Sequence, residues 1–174
     1  QRVLDWKIDF PGAYLKFSQC RFPGANYLFS LEEIHRFKRP MTYLEIGVSK
    51  GRSFELARQS ALWIGVDPNM SSLDRTGLGN ARLFETTSDA FFEQHGKALF
   101  DGNRIDFAFI GGMHQFDFVL KDFINAERWM NRDGIIAVHD VIPVNRAGAG
   151  DDPSVRQWTG DVWKLTDILH RFRP

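Results

Sequence analysis

The chain has 174 residues, of which 43% are hydrophobic and 25% charged, which suits one globular domain with a sizeable core. Its 22 basic and 22 acidic residues cancel, so no overall field favours nucleic acid or an anionic membrane, and we expect neither as a partner. Cys20 is the only cysteine, which excludes an internal disulfide and is typical of a cytoplasmic protein, and no apolar run approaches the length of a membrane span.

The first residues are predicted to form an irregular arm followed by one helix. Proline, glycine and aromatic residues without a clear period fill residues 1–27, which is typical of a packed arm or lid. Ser30 with Glu33 three residues later is a capping-box pattern. It predicts a helix from Ser30 to about Phe37, which Pro40 ends.

The next segment joins two apolar runs through a glycine turn. Residues 41–47 predict a buried strand that breaks at Gly47 and Gly51 and turns into a helix. Residues 62–67 predict a second buried strand, which ends on Asp67. The glycines let the backbone approach a ligand closely, and the aspartate can accept hydrogen bonds from both hydroxyls of a ribose. The spacing excludes the G-x-G-x-x-G of dinucleotide enzymes and the G-x-x-x-x-G-K-[ST] phosphate loop.

The rest of the chain continues to alternate strands with helices, which predicts an α/β fold with a parallel sheet and right-handed crossovers. The longest predicted helix carries apolar residues at three-four spacing, so it should bury a single stripe. That stripe consists of Phe116, Val119, Phe123, Ala126 and Met130. The remaining predicted strands are 81–85, 104–110 and 135–139, and the predicted helices are 52–59, 88–96 with Ser88 as its N-cap, 115–131 and 161–172.

Candidate catalytic residues follow the fourth and fifth strands, because ligands of open parallel sheets bind outside the carboxyl ends of the strands. The fourth strand leads into His114, and the fifth ends on His139 and Asp140. Histidine is the commonest general base at neutral pH, and His114 in its glycine-flexed loop is the preferred one. Asp140 would orient that imidazole, bind substrate or hold a metal ion. For each histidine, and above all for His139, the alternative is packing in a partly buried position.

The pattern of Glu45, Gly47 and Gly51, followed by Asp67, resembles the first motifs of class I S-adenosylmethionine-dependent methyltransferases. The runs around the ends of the fourth and fifth strands are similar to a subfamily of small-molecule and sugar O-methyltransferases, which reads I-D-G-x-H and then G-G-x-x-x-x-H-D-x-x-P. The resemblance implies a Rossmann-like, doubly wound, mostly parallel sheet flanked by helices. Members of the class have seven strands, whereas only five are predicted here, so we expect the final strand pair to be lacking and the natural protein to continue.

The resemblance also implies S-adenosylmethionine as cofactor, bound by a domain at residues 41–174, with residues 1–40 as an N-terminal arm and helix. Ser53 would approach the methionine carboxylate from the N-terminus of the first crossover helix. The three residues after the third strand lie where these enzymes hold the adenine edge, and an ordinary helix N-cap is their alternative. The predicted cofactor-binding residues are Glu45, Gly47, Gly51, Ser53, Asp67, Thr87, Ser88 and Asp89.

Metal-dependent members of the class carry an acid after the fourth strand, where this chain has Gly111. Mg²⁺ prefers near-octahedral oxygen ligation, and only Asp140 is a clear oxygen ligand here. We therefore assign no metal ligands, and Gly111 argues against magnesium as a cofactor. Asp122 on the long helix is either an acid on the solvent face or, as the resemblance implies, part of the site.

The expected function is S-adenosylmethionine-dependent methyl transfer to the oxygen of a small hydroxylated molecule, such as a sugar or a natural product. The alternative is a module that binds the cofactor with weak or no catalysis, and Gly111 is the best evidence for it. The sequence leaves the identity of the acceptor and the oligomeric state open.

Overall fold

The computed structural model of the chain describes residues 26–155 and 157–173, where five parallel strands form one sheet in the order β3-β2-β1-β4-β5. The predicted aromatic arm therefore lies almost entirely outside the described residues. The order reverses between β1 and β4, and the predicted doubly wound α/β fold is confirmed. The strands are β1 (Thr42–Ile46), β2 (Leu62–Val66), β3 (Arg82–Phe84), β4 (Ile105–Ile110) and β5 (Met130–Val138).

Helices and helical turns connect the strands. None of the helices among the described residues is both long and apolar enough to cross a membrane. In chain order they are α1 (Tyr27–Lys38), a 3₁₀ helix (Phe54–Gln59), α2 (Ser88–Phe91), a π-helical turn (Phe92–Gly96), α3 (Lys97–Phe100), α4 (Phe116–Glu127) and α5 (Trp163–Phe172).

The central strands are buried on both faces of the sheet. Every residue of β1 is buried, including the polar Thr42 and Glu45. This is the pattern of a parallel strand covered by helices on each side. On one face, Leu44 and Ile64 pack with the apolar stripe of α4, of which Val119 is fully inside. The predicted stripe is thus confirmed for the helix itself.

Helix α1 begins earlier than its predicted capping box. Asn26 is the N-cap, since its Oδ1 accepts a hydrogen bond from the Phe29 amide at 3.0 Å. The prediction that Ser30 caps the helix is wrong, because Asn is at least as good a cap and lies four residues upstream. Glu33 pairs instead with Arg36 at 2.6 Å on the helix surface.

Other helix ends also differ from prediction. Thr87, not Ser88, is the N-cap of α2, with its Oγ1 accepting from the Ala90 amide at 3.4 Å. The predicted helix at 52–59 is a 3₁₀ helix that begins at Phe54.

Strand β5 begins five residues before its predicted start. The segment from Asn131 to Gly134 is not a simple turn: Met130 already pairs with Ile105, and the register then shifts before Phe107 pairs with Ile135. The Asn131 side chain ties this irregular stretch to β4, because its Nδ2 donates to Asp106 Oδ1 at 2.5 Å.

Candidate functional site

The turn after β1 has three residues in the left-handed region of backbone space. Gly47 has φ +88°, Ser49 has φ +50° and Gly51 has φ +83°. A Cβ on Gly47 would overlap the backbone of Gly112, so only glycine lets the turn and the loop after β4 meet. A Cβ on Gly51 would lie 2.6 Å from Leu73 Cδ1, which makes Gly51 a packing position for the following loop.

Asp67 is held in place by backbone amides of two loops. Its Oδ2 accepts a hydrogen bond from the Ser49 amide at 2.8 Å, and its Oδ1 accepts one from the Asn69 amide at 2.8 Å. The unusual backbone of Ser49 therefore serves to aim an N–H group at the carboxylate. Each carboxylate oxygen retains a lone pair, so the group can still accept from two hydroxyls of a ligand.

Glu45 lies behind the wall of the site. Its side chain is completely buried and accepts hydrogen bonds from Tyr43 Oη at 2.5 Å and from Ser53 Oγ at 2.7 Å. Burial raises the pKa of Glu45 to about 8, although both hydrogen bonds oppose that rise. Glu45 therefore orients Ser53. Of the two residues, Ser53 is the one that lines a cavity, together with His114 and His139.

A cavity of about 500 Å³ lies over the carboxyl ends of β1 and β2, and we call it the Asp67 cavity. Its floor is the Gly47 turn and the loop after β4, and its far wall is the start of α2 with the inner side of α4. Five of the predicted cofactor residues line it, while Met113 and Phe118 add apolar surface. The lining includes Gly47, Asp67, Thr87, Ser88, Asp89 and Asp122.

Asp122 belongs to this wall. The residue is 3% exposed, so its interpretation as an acid on the solvent face is wrong. Burial raises the pKa of Asp122 to about 6, and hydrogen bonding to Ser88 partly opposes that rise. Asp89, by contrast, reaches the surface, where it accepts a hydrogen bond from Lys121 Nζ at 2.9 Å.

A second cavity of about 390 Å³ adjoins the first, and we call it the His114 cavity. The two cavities share Gly47, Ser49 and Gly111 in their linings, so they meet at the two crossed loops. The exposed side chains of Lys50 and Arg52 lie at its edge. Its other lining residues include Tyr27, Ser53, Phe109, His114 and His139.

The structure brings the three predicted catalytic residues together beside this cavity. Asp140 Oδ2 lies 3.6 Å from His114 Nδ1 and 3.5 Å from His139 Nδ1, and the side chains are between 21% and 28% exposed. Asp140 has φ +55°, a strained backbone for a residue with a side chain. Burial lowers the pKa of His139, and the Asp140 carboxylate opposes that shift.

Aromatic side chains outside the predicted site residues pack against the imidazoles. The Tyr27 ring packs against His139 in a tilted arrangement with ring centroids 4.5 Å apart, and the Trp158 ring lies 5.5 Å from His114. Gly160, at φ +58°, lets its loop touch the His114 carbonyl, where any Cβ would clash. Packing between segments that are distant in the sequence brings these residues to the imidazoles.

The donor set at the cluster does not fit Mg²⁺, the ion of metal-dependent class members. Gly111 directly follows β4 and has no side chain, and the atoms nearest to a Cβ there would belong to Phe109 and His139. Asp140 then supplies the sole hard oxygen beside two imidazole nitrogens. Magnesium demands near-octahedral oxygen ligation, so these residues cannot satisfy it.

Comparison with known proteins places this geometry in a family. The sequence profile of a methyltransferase domain matches residues 44–141, which span β1 to the end of the His139–Asp140 loop. No curated protein matches the chain.

Solved structures share the fold. An O-methyltransferase from Bacillus cereus in complex with S-adenosylhomocysteine is 13% identical, with a TM-score of 0.65 over 98% of this chain and 83% of that one. An O-methyltransferase from Streptomyces achromogenes, which is involved in tomaymycin synthesis, was solved in complex with S-adenosylmethionine. It is 18% identical, and the match has a TM-score of 0.62 and covers 91% of this chain and 78% of that one. A Podospora anserina methyltransferase bound to S-adenosylhomocysteine is 17% identical, and the match has a TM-score of 0.59 and covers 95% of this chain and 80% of that one. At these identities the likeness establishes the shared fold.

Proposed function

The chain belongs to the class I methyltransferases, whose domain profile matches more than half of it, and we propose that it methylates a hydroxyl group of a small molecule with S-adenosylmethionine as donor. One observation carries the proposal. The Asp67 cavity and the His114 cavity meet at Gly47, Ser49 and Gly111, so a donor in the first can present a group to an acceptor in the second.

Asp67 and the wall opposite it suit the adenosine half of the donor. Asp67 carries two lone pairs toward the cavity for the ribose hydroxyls, while its other interactions fix its position. Ser88 and Asp122 offer polar groups at the far wall for a base edge, and Phe118 offers an apolar face for its ring. Ser53, oriented by Glu45, faces the side where the methionine half would lie.

His114 suits the acceptor half of the reaction. The cofactor supplies a methyl group on a sulfonium sulfur, a reactive electrophile that needs no further activation by the protein. The chain would therefore orient the acceptor and take its hydroxyl proton as a C–O bond forms and the bond between the methyl carbon and sulfur breaks, which leaves a neutral thioether. His114 Nδ1 faces Asp140 at 3.6 Å, so the carboxylate would stabilise the positive charge of the imidazole when Nε2 receives the proton.

Tyr27 and Trp158 favour a small, partly apolar acceptor. Both rings stand beside the imidazoles, at 4.5 Å from His139 and 5.5 Å from His114. A flat or cyclic hydroxylated molecule would stack between such walls and present one hydroxyl to His114. The cavity of about 390 Å³ has room for a sugar-sized or single-ring acceptor.

A transfer assay tests the proposal. Labelled S-adenosylmethionine is incubated with the protein and a panel of phenols, sugars and hydroxylated natural products, with and without added Mg²⁺. We expect label in at least one acceptor and the same rate without Mg²⁺. Binding of the donor without transfer to any class of acceptor would favour the alternative, a cofactor-binding module without catalysis.

A further inference from the structure

We propose that His114, His139 and Asp140 form a binding site for a divalent transition-metal ion of the Zn²⁺ type, with one ligand atom from each side chain. The ligand atoms are the two Nδ1 nitrogens and Asp140 Oδ2, and one ligand atom from each residue can be chosen so that all lie within 4.8 Å of one another. The inference goes beyond the proposed methyl transfer, because such an ion needs no methyl donor in order to bind.

The spacing of these atoms is that of ligands around an ion. Two ligand atoms at about 2.0–2.2 Å from a tetrahedral Zn²⁺ lie roughly 3.3–3.6 Å apart. Asp140 Oδ2 is 3.5 Å from His139 Nδ1 and 3.6 Å from His114 Nδ1. Good hydrogen bonds between nitrogen and oxygen are shorter, at about 2.7–3.2 Å. Asp140 Oδ2 is therefore spaced from each imidazole nitrogen as one metal ligand is from another, and it makes no good hydrogen bond to either.

The chemistry of the donors selects the kind of ion. Imidazole nitrogen suits Zn²⁺, Co²⁺ and Fe²⁺, whereas Mg²⁺ and Ca²⁺ take oxygen ligands. Two histidines and one carboxylate are a recurrent ligand set for ions that keep open coordination positions. Here the open side faces the His114 cavity, because His114 and His139 both line it.

Neighbouring aromatic side chains hold both imidazoles in place, which favours their use as metal ligands. The Tyr27 and Phe109 rings hold His139 from two sides, with centroids at 4.5 Å and 5.9 Å. Trp158 flanks His114, and the Trp158 indole is itself fixed by donating to the Gly150 carbonyl at 2.6 Å. Fixed rings lose little freedom when an ion binds, which favours affinity.

Metal binding and base catalysis would compete for the same groups. With an ion on Nδ1, the Nε2 atom of each imidazole carries the proton and can no longer take one from an acceptor. The metal-loaded protein would therefore contain no free imidazole base at this site, and the metal-free protein would contain His114.

Co²⁺ provides the test, since it replaces Zn²⁺ and absorbs visible light when bound by nitrogen and oxygen in a low-coordinate site. The metal-free chain is titrated with Co²⁺, and Zn²⁺ or Mg²⁺ is then added as competitor. We expect one saturable Co²⁺ equivalent with visible absorption, displacement by Zn²⁺ and no displacement by Mg²⁺. No saturable absorption, or displacement by Mg²⁺ as readily as by Zn²⁺, would overturn the proposal.

Variants locate the ion. His139→Ala and Asp140→Asn should each weaken Co²⁺ binding by at least about tenfold. Substitution of a residue that only supports a metal ligand already lowers metal affinity by about that factor, and these two residues are ligands themselves. His170→Ala, which removes an exposed imidazole from α5, is the matched control and should bind as the unaltered chain does. Equal Co²⁺ affinity in all three variants would place the ion elsewhere and refute the site.

A separate measurement keeps this test apart from the proposed function. Binding of S-adenosylhomocysteine by His139→Ala and Asp140→Asn reports whether each variant is folded and whether the Asp67 cavity is intact. A variant that binds S-adenosylhomocysteine normally and loses Co²⁺ supports the metal site. Gly111→Asp, which adds an oxygen ligand beside His139, should gain competition by Mg²⁺, and unchanged ion preference would count against the assigned position.

Discussion

The Asp67 cavity and the His114 cavity open from the same edge of the sheet but are built differently. On the Asp67 side, backbone amides hold the carboxylate at 2.8 Å, and hydroxyl groups hold the buried Glu45 behind it at 2.5 and 2.7 Å. On the other side, the Asp140 carboxylate lies 3.6 Å from His114 and 3.5 Å from His139, too far for good hydrogen bonds. Short hydrogen bonds within the protein thus fix the acids of the first half, whereas longer contacts separate the acid and the imidazoles of the second half.

This difference predicts where substitutions affect binding and where they affect turnover. Changes on the Asp67 side should weaken binding of the methyl donor, because its groups are already in position. Changes to His114 should leave donor binding intact and lower turnover, because His114 acts on the acceptor.

The largest expected effect is on turnover. His114→Ala should lower the rate of methyl transfer by about 10²–10⁴-fold, the usual contribution of a general base. Affinity for S-adenosylhomocysteine should stay within about twofold, because His114 lines the other cavity. Transfer of labelled methyl groups gives the rate and calorimetry gives the affinity. A near-normal rate in His114→Ala would refute the base, and the exposed His170→Ala is the control.

Gly47→Ala should destabilise the fold at the point where the two cavities meet. Gly47 has φ +88°, and a Cβ there would overlap the backbone of Gly112. We therefore expect the free energy of unfolding to fall by about 2–4 kcal/mol, from overpacking and left-handed strain together. Gly79→Ala is a matched control, since Gly79 is also left-handed at φ +47° but a Cβ would meet nothing within 4 Å. It should cost about 1–2 kcal/mol.

Urea unfolding of both glycine variants measures these two costs, and their difference isolates the overlap. Equal losses of stability would show that the crossed loops move apart easily. The two cavities would then not share a rigid floor.

Glu45 predicts how stability depends on pH. Its pKa rises from 4.5 to about 8 in the folded chain, so the folded state holds a proton that the unfolded state releases between these values. The free energy of unfolding therefore falls as the pH rises through that window, by up to about 1.4 kcal/mol per pH unit, and the contribution levels off above it.

Glu45→Gln should flatten this dependence, because glutamine keeps the shape and does not titrate. Urea unfolding between pH 6.5 and 8.5 is the informative range, since Asp122, with its pKa raised to about 6, affects stability mainly below it. The same slope in Glu45→Gln and in the unaltered chain would show that Glu45 is not the buried acid responsible.

The sequence predicted the Asp67 side better than the His114 side, and the reason is physical. Strands β1 and β2 are buried runs joined through a glycine turn, and β2 is followed by an acid, so their local pattern specifies the strands and the turn. Asp67 and Gly47 consequently lie where the motif predicted.

The His114 side depends on contacts between distant segments. Tyr27 and Trp158 come from opposite ends of the chain, and their meeting with the two imidazoles follows from packing that no short pattern encodes. Asp122 was ambiguous for a similar reason, since helical periodicity cannot tell an acid that faces a cavity from one that faces solvent. The early start of β5 rests on a register shift, which alternation rules do not detect.

The central claim is that the Asp67 cavity binds the methyl donor, and calorimetric titration with S-adenosylhomocysteine tests it most directly. The unaltered chain should show one saturable binding event. Asp67→Ala should weaken it by about 1–3 kcal/mol, as expected when a ligand loses its hydrogen-bond acceptor. Asp74→Ala, which removes an exposed aspartate that caps a neighbouring turn, should bind as the unaltered chain does. No binding by the unaltered chain, or equal binding by Asp67→Ala, would contradict the account.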